Sequence, residues 1–403
     1  MKKLQLLFVS FFLSSCGDFE NNLETLQPKS NNIGHFDFDE FQIKEEVLYV
    51  PATKENVKWG YLPNINDKPI ASVAPGSLLV VDTVSHEGIL EDQGRNPLKY
   101  FSKFGVGKKD VLSDAVNIAN SNIQHNFYMD GPHVVVGPIE VKGSMPGDIL
   151  KIDVIEMVPR VPYGVISNRH GKGALPGEFP IGPKPDKQKN QFNNVSIFSK
   201  TIKKDGIFSA VITDPSGKKI RFDAKPFMGI IGVAKNTNNP VHSVPPGDHG
   251  GNLDINELYA GSTLYLPVQV PGGMFYTGDP HLAQGDGEVA LTALEQSLRG
   301  LFKLDLIKKG SSNILARLNL DTPFAENGKY WIPIGLDEDL DIAMKNSVRQ
   351  GISFLSLRYG LEKQTALAYL SAATTFEVSQ VVDKTKGIHG LIEKKDFKNL
   401  SNK

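Results

Sequence analysis

Residues 249–288 read HGGNLDINELYAGSTLYLPVQVPGGMFYTGDPHLAQGDGE. Two short loops dense in Gly, His and carboxylates flank one apolar, strand-like segment, Ser262-Thr263-Leu264-Tyr265-Leu266-Pro267-Val268-Gln269-Val270. Glycine allows backbone bends that other residues resist, and close approach of the chain to a ligand. His, Asp and Glu are the side chains that bind borderline and hard cations. Ordinary turns do not need this density of special residues, so the chain is expected to be organised around these two loops.

Other stretches extend the pattern outward. Asp130-Gly131-Pro132-His133, Gly137-Pro138-Ile139-Glu140-Val141-Lys142-Gly143 and Pro146-Gly147-Asp148 lie upstream, as does Pro226-Phe227-Met228-Gly229-Ile230-Ile231-Gly232-Val233. Together with HGGNLD, GSTLYLPVQVPGG and GDPHLAQGDGE, these motifs resemble those of the acetamidase/formamidase family, in matching order across residues 45–395. The resemblance implies hydrolysis of a small linear amide to a carboxylate and ammonia. It also implies a metal-containing site where the two loops converge, a multimeric assembly, and a fold of jelly-roll-like β layers with an α+β portion. One departure is Leu282, beside His281, where members usually carry Ala; a larger side chain there would reshape the pocket.

Amide hydrolysis needs an activated water, stabilisation of the oxyanion and a proton for the departing amine. The single cysteine, Cys16, lies in the leader described below, so no thiol nucleophile is available to the mature chain. The Gly-x-Ser-x-Gly elbow does not occur in a strand–turn–helix setting, and Gly310-Ser311-Ser312-Asn313 lacks the glycines of a serine amidase. A metal-activated water fits better. Asp279 and His281 alternate along an extended segment and share a face. His249 and Asp254 flank a Gly-Gly bend that would turn both toward one pocket. The expected metal ligands are thus His249, Asp254, Asp279, His281 and, from the Ser85-His86-Glu87-Gly88 loop, His86. Zinc is the expected ion, with room for a second such as calcium. Glu288 is the expected general base and later acid, or else a ligand. Gln284 and Asn252 are expected to hold the substrate amide or the oxyanion, and His133, within a matched motif, to bind substrate. Asp286, between two glycines, is expected to fix its own turn.

The N-terminus carries a separate message. Met1-Lys2-Lys3, an apolar run from Leu4 to Leu13, and Leu13-Ser14-Ser15-Cys16 have the form of a secretory signal peptide. The run, about ten residues, is shorter than the roughly 20 needed to span a bilayer. Leu-Ser-Ser-Cys resembles the bacterial lipobox, which makes Cys16 the lipidated residue and places the mature protein outside the cytoplasm, on the outer membrane or periplasmic face.

The remaining composition is that of an ordinary enzyme. Hydrophobic residues make up 40%, charged residues 22%, and the net charge of −1 provides no footprint for nucleic acid. With 38 Gly and 25 Pro, turns are plentiful and many short strands are expected. The organisation expected is a signal peptide over 1–15, a polar tether over 16–40, a β-rich catalytic core over 41–330, an α/β cap over 331–395 and a polar tail over 396–403. Near-helical apolar spacing predicts helices over 337–359 and 361–373, followed by a strand at 378–382. Residues 164–194, rich in Gly, Pro, Lys and Asn, read as a long surface loop or lid. Two alternatives to a small-amide hydrolase follow from these features. One is a non-catalytic binding lipoprotein of the same fold; the other is an amidase for a larger, unusual amide, its specificity built in the 164–194 loop.

Overall fold

The computed structural model describes residues 47–186 and 192–400. The expected leader, tether and lipidation site at Cys16 lie outside the described residues.

Among the described residues the strands form a nine-stranded sheet, an eleven-stranded sheet and a two-stranded ribbon. The prediction of a mainly β chain is met. The nine-stranded sheet is built on Ser77–Asp82, Leu298–Ile307, Ile149–Pro159 and Ser262–Pro267, paired in that order and antiparallel throughout. The eleven-stranded sheet is built on Phe227–Val233, Phe275–Ala283 and Val134–Val141, again antiparallel. One apolar core joins the two. Leu79, Val81, Ile152, Leu264 and Phe302 of the first sheet pack in the same cluster as Val134, Val136, Met228, Ile231 and Phe275 of the second. Val and Leu, then Ile, dominate the cluster, and the β-branched Val and Ile fit a pleated surface buried on one face.

A buried charge network ties five segments at the edge of this core. Asp82 accepts from Arg299 Nε at 2.6 Å, from Arg299 Nη2 at 2.9 Å and from the Tyr49 hydroxyl at 2.8 Å. Arg160, fully buried, reaches both Asp82 at 3.0 Å and Asp114 at 2.7 Å. Every charge here has a partner, which is the condition for tolerating ions in an apolar interior.

The reading of 164–194 as a loop needs correction. Tyr163–Arg169 is a strand paired with Asn194–Lys204 along its whole length. Alternating burial, with Val165 inward, supplies the driving force that the polar composition of the segment hides. Among the described residues of this segment, only 170–186 and 192–193 lie outside the two strands. Two short helices, Pro97–Ser102 and Ser113–Ala119, also interrupt the β region.

The C-terminal helices form as predicted. Leu340–Tyr359 is capped by the Asp339 side chain, which accepts from the amides of Asp341 and Ile342, and it ends at Gly360 in the left-handed conformation. Lys363–Ala373 follows, then the strand Thr375–Gln380, which starts earlier than the predicted 378. This α/β portion is continuous with the core. Its strands Tyr330–Asp337, Lys386–Glu393 and Thr375–Gln380 extend the nine-stranded sheet. Phe354 of the long helix packs at a tilt against Phe324, with ring centroids 4.8 Å apart, and against Trp331 at 5.2 Å. Phe354→Ala is expected to remove about 3–5 kcal/mol of stability, measured as a lowered urea midpoint.

Candidate active site

The strand Phe275–Ala283 runs between Phe227–Val233 and Val134–Val141, and it is buried along nearly its entire length. A buried central strand is a rigid mount for a side chain, but its regular ladder leaves little room for two polar groups on one face. The chain makes room in two ways. Asp279 takes a left-handed φ of 50°, which interrupts the ladder between the pairs Gly278–Ile230 and Pro280–Met228. Opposite that break stands Gly229. A β-carbon at Gly229 would lie 2.5 Å from Asp254 Oδ1, 2.6 Å from Asp279 Oδ2 and 2.7 Å from His281 Cε1. Three polar side chains therefore converge over the one residue that has none.

Asp254 and Glu288 arrive from the two glycine-rich loops. Both are also left-handed, with φ of 49° and 46°. Such conformations cost a non-glycine residue energy and persist only where the surroundings enforce them, commonly at functional sites. The turn carrying Glu288 is held by the C-terminal portion. The Gly287 amide donates to Ser379 O at 3.1 Å, and the Val381 amide donates to Gly287 O at 3.3 Å.

The side chains form three overlapping groups whose ligand atoms lie within 4.8 Å of one another. They are His86, His133 and Asp279; Asp279, His281 and Glu295; and Asp254, His281 and Glu288. His281 Nε2 lies 3.0 Å from Asp279 Oδ2 and 3.1 Å from Glu295 Oε1. His86 Nδ1 is 3.6 Å from Asp279 Oδ1, and His133 Nε2 is 3.7 Å from the same oxygen. All of these residues are buried. Both oxygens of Asp254, Asp279 Oδ1, Glu295 Oε2, Asp383 Oδ2 and both nitrogens of His86 have no hydrogen-bond partner among the described residues. Buried polar atoms are normally satisfied. So many orphans in one place, most of them anionic or lone-pair donors, describe a site that can hold a cation.

The electrostatics agree. Burial, then the charge of Glu288, raises the Asp254 carboxyl well above the usual range. Burial, then Asp383 and Asp279, does the same to Glu288. Asp383 is pushed up to about 7, chiefly by burial. Burial also acts to raise Asp279, yet the flanking His133 and His281 outweigh it and hold this carboxyl well below its ordinary value. Burial lowers His133 to about 4, whereas His86 rises to about 10 because Glu295 and Asp279 outweigh its burial. Protein groups alone thus leave the carboxylates short of positive charge, which is the imbalance a divalent ion would relieve.

The structure brings together six of the expected residues, namely His86, His133, Asp254, Asp279, His281 and Glu288. His86, His133, Asp279 and Glu288, with Asn252, line a cavity of about 690 Å³, and Asp254 and His281 belong to the same cluster behind that wall. His133 stands beside Asp279, with its Nδ1 2.9 Å from Ser243 Oγ, so it is placed as a donor within the cluster as well as on the cavity wall. Two expected residues are placed elsewhere. His249 lies away from all three groups, its Nδ1 3.4 Å from Asp248 Oδ1. The left-handed bends at Gly250 and Gly251, φ 81° and 78°, carry Asn252 and Asp254 to the cavity side and leave His249 behind. Gln284 is used up in positioning. Its Nε2 donates to Asp254 O at 2.8 Å and Ser379 O at 3.1 Å, and its Oε1 faces His281 Nδ1 at 3.1 Å. A proton on that Nδ1 leaves Nε2, the nitrogen facing Asp279 and Glu295, with its lone pair.

Three carboxylates of the site escape sequence reasoning. Glu295 pairs directly across the sheet from His281; the surrounding Leu294-Glu295-Gln296-Ser297-Leu298 is mostly polar and gives no sequence signal of that role. Asp383 comes from the C-terminal turn and has no motif. Glu87 lies beside His86, Oε1 3.4 Å from Nε2, and is itself held by Ser167 and Arg169. Given its geometry, Gly229→Ala is expected to displace three site side chains and abolish retention of divalent metal through dialysis, measured by elemental analysis. Gly285→Ala, whose β-carbon meets nothing within 4 Å, is the matched control and is expected to retain it.

Comparison with known proteins places the chain in a family. Residues 102–240 and 233–391 match the model of the Acetamidase/Formamidase family. The chain is 27% identical to a formamidase of Methylophilus methylotrophus over 331 residues, covering 69% of this chain and 78% of that one. It is 27% identical to an acetamidase of Mycolicibacterium smegmatis over 290 residues, covering 57% and 71%. Among solved structures, an acetamidase from Bacillus halodurans has a TM-score of 0.64 at 23% identity, covering 88% of this chain and 99% of that one. An acetamidase from Yersinia enterocolitica has 0.65 at 24%, covering 87% and 94%. These likenesses establish the fold, and with the family match over most of its length the chain belongs to the acetamidase/formamidase family.

Proposed function

We propose that this protein hydrolyses the C–N bond of a small linear amide to a carboxylate and ammonia, at the cluster centred on Asp279. The observation that carries this reading is the set of buried, unpartnered imidazole and carboxylate atoms on the floor of the cavity, together with relatives named formamidase and acetamidase. His86, His133, Asp279, His281, Glu295 and Asp254 would hold a divalent ion, and their mixed nitrogen and oxygen donors suit zinc. Such an ion supplies a lower pKa for water and polarises the carbonyl oxygen.

The chain's own residues do the rest. Asn252 Oδ1, buried and without a hydrogen-bond partner among the described residues, is placed to accept an N–H of the substrate amide. Its Nδ2 faces the opposite requirement, donation to the developing oxyanion. Glu288, on the cavity wall, takes the proton of the attacking water and returns it to the departing nitrogen. Its raised affinity for protons, caused by burial and the neighbouring Asp383 and Asp279, suits a group that must hold a proton between those two steps. Gln284 keeps His281 in one tautomer throughout.

The decisive experiment is ammonia release from formamide, acetamide and propionamide by protein beginning after Cys16. Release is expected to stop on chelation and to return with zinc, and Glu288→Gln is expected to lower kcat by about 10²–10⁴-fold. Release that ignores chelation would remove the metal from the mechanism. Bound metal with no release from any amide would overturn hydrolysis itself.

Export and lipid anchoring at Cys16 form part of the same proposal and rest on the leader sequence alone. Radiolabelled palmitate is expected to enter the full-length protein and not Cys16→Ser; equal labelling would sink the anchor. Multimeric assembly, implied by the family likeness, is checked by light scattering.

A further inference from the structure

The cavity is far larger than a small amide requires. A water molecule claims about 30 Å³ of liquid, so an amide of a few heavy atoms fills only a small part of roughly 690 Å³. The space has two chemically distinct ends. The floor carries the acidic and imidazole groups described above. The outer wall carries Phe127, Tyr128 and Met129 on one side, with Lys172, Lys384 and His242 at the rim. Tyr128 and Met129 are 44% and 69% exposed, an apolar surface facing the opening.

The rim cations differ from other charged groups in the wall in being uncommitted. Arg169 is occupied by Asp92 at 2.7 Å and by Glu87. Asp130 accepts from the Tyr61 hydroxyl and the Asn126 amide, both at 2.7 Å. The ammonium groups of Lys172 and Lys384 make no hydrogen bond or ion pair with any described residue. They come from unrelated segments, the loop after strand Tyr163–Arg169 and the turn before strand Lys386–Glu393, yet they act on a common neighbour. Burial, then the charges of Lys384 and Lys172, holds the His242 imidazole below its usual value. Burial, then the charges of Arg169 and Lys384, holds the Lys172 ammonium below its usual value, and Asp92 and Asp383 offset this only in part.

We propose that the natural substrate is a primary amide whose chain ends in a carboxylate. The amide lies on the floor against Asn252 and Glu288, the hydrocarbon crosses the Phe127–Met129 wall, and the carboxylate sits between Lys172 and Lys384. Water adds across the C–N bond, and the products are a dicarboxylate and ammonium. The inference rests on the amide-hydrolysis reading above and narrows its substrate class. Neutral formamide and acetamide then become poor fragments of the true substrate, because they forgo the binding energy of the rim.

The test compares succinamate, glutaramate and adipamate with the corresponding neutral diamides, which match them in size and lack the charge. For at least one chain length, kcat/KM per amide group is expected to be about tenfold higher for the acid at low ionic strength, the scale of one to two partly screened ion pairs. The preference should shrink in high salt, and in the double variant Lys172→Gln, Lys384→Gln the ratio should fall to about one. Diamides hydrolysed as well as the acids at every length would overturn the substrate class and leave hydrolysis standing. If no amide is hydrolysed, calorimetric binding of adipamate against adipamide separates the two ideas. Acid-selective binding that the double variant loses keeps the anion site and discards hydrolysis, and equal binding discards the anion site as well.

Discussion

The organising constraint of this molecule is the cost of burying several carboxylates beside three imidazoles in the middle of a β core. Asp254, Asp279, Glu288, Glu295 and Asp383 are all buried, and burial of charge in a poorly polarisable interior is tolerated only with compensation. At the edge of the same core the compensation is complete, because Asp82 and Asp114 meet Arg160 and Arg299. At the centre it is incomplete. Among the described residues no arginine or lysine pairs with Asp254, Asp279, Glu288, Glu295 or Asp383, and the imidazoles satisfy Asp279 better than they satisfy Asp254 or Glu288. The two clusters share a protein and a dielectric environment, and they differ in that one has spare donor atoms for a ligand.

That imbalance accounts for the unusual local structure. Three of the nine non-glycine residues with positive φ among the described residues are Asp254, Asp279 and Glu288. Each is pinned by its surroundings. Asp279 is held in a central strand, Asp254 follows a Gly-Gly bend, and Glu288 sits on a turn clasped by Ser379 and Val381. The clasp explains why the C-terminal portion matters to a site whose motifs lie far upstream. It supplies Asp383 to the floor, Lys384 to the rim, and the backbone hydrogen bonds that keep Glu288 in place. Its strands continue the nine-stranded sheet, so the site stands on one connected scaffold.

Much of this was legible in the chain itself. The dense loops at 249–254 and 278–288 mark the site because Gly, His and Asp are combined there at a density turns alone do not need. Helices near 340–359 and 363–373 follow from apolar spacing, which is local chemistry; the Asp339 cap and the left-handed Gly360 that bound the first are seen in the structure. The strand at 163–169 was hidden because its buried side carries the polar Ser167 and Arg169 beside Val165, and a Pro-Gly-Lys-rich stretch follows. His249 was misleading for a related reason. Its spacing from Asp254 suits a shared pocket, but the outcome depends on which way two left-handed glycines turn the chain.

The sequence by itself determined the β-rich class, the family, and which loops bear the chemistry, since all three depend on residue type and short-range order. Only the tertiary structure decided the membership of the site. Glu295 enters through cross-strand register with His281, Asp383 through the docking of a distant turn, and Gly229 through the space it leaves for three converging side chains. Gln284 passes from substrate contact to positioning because both ends of its amide are met by neighbours distant in sequence or across the turn. Register, docking and empty volume are relations between segments, and no single segment encodes them.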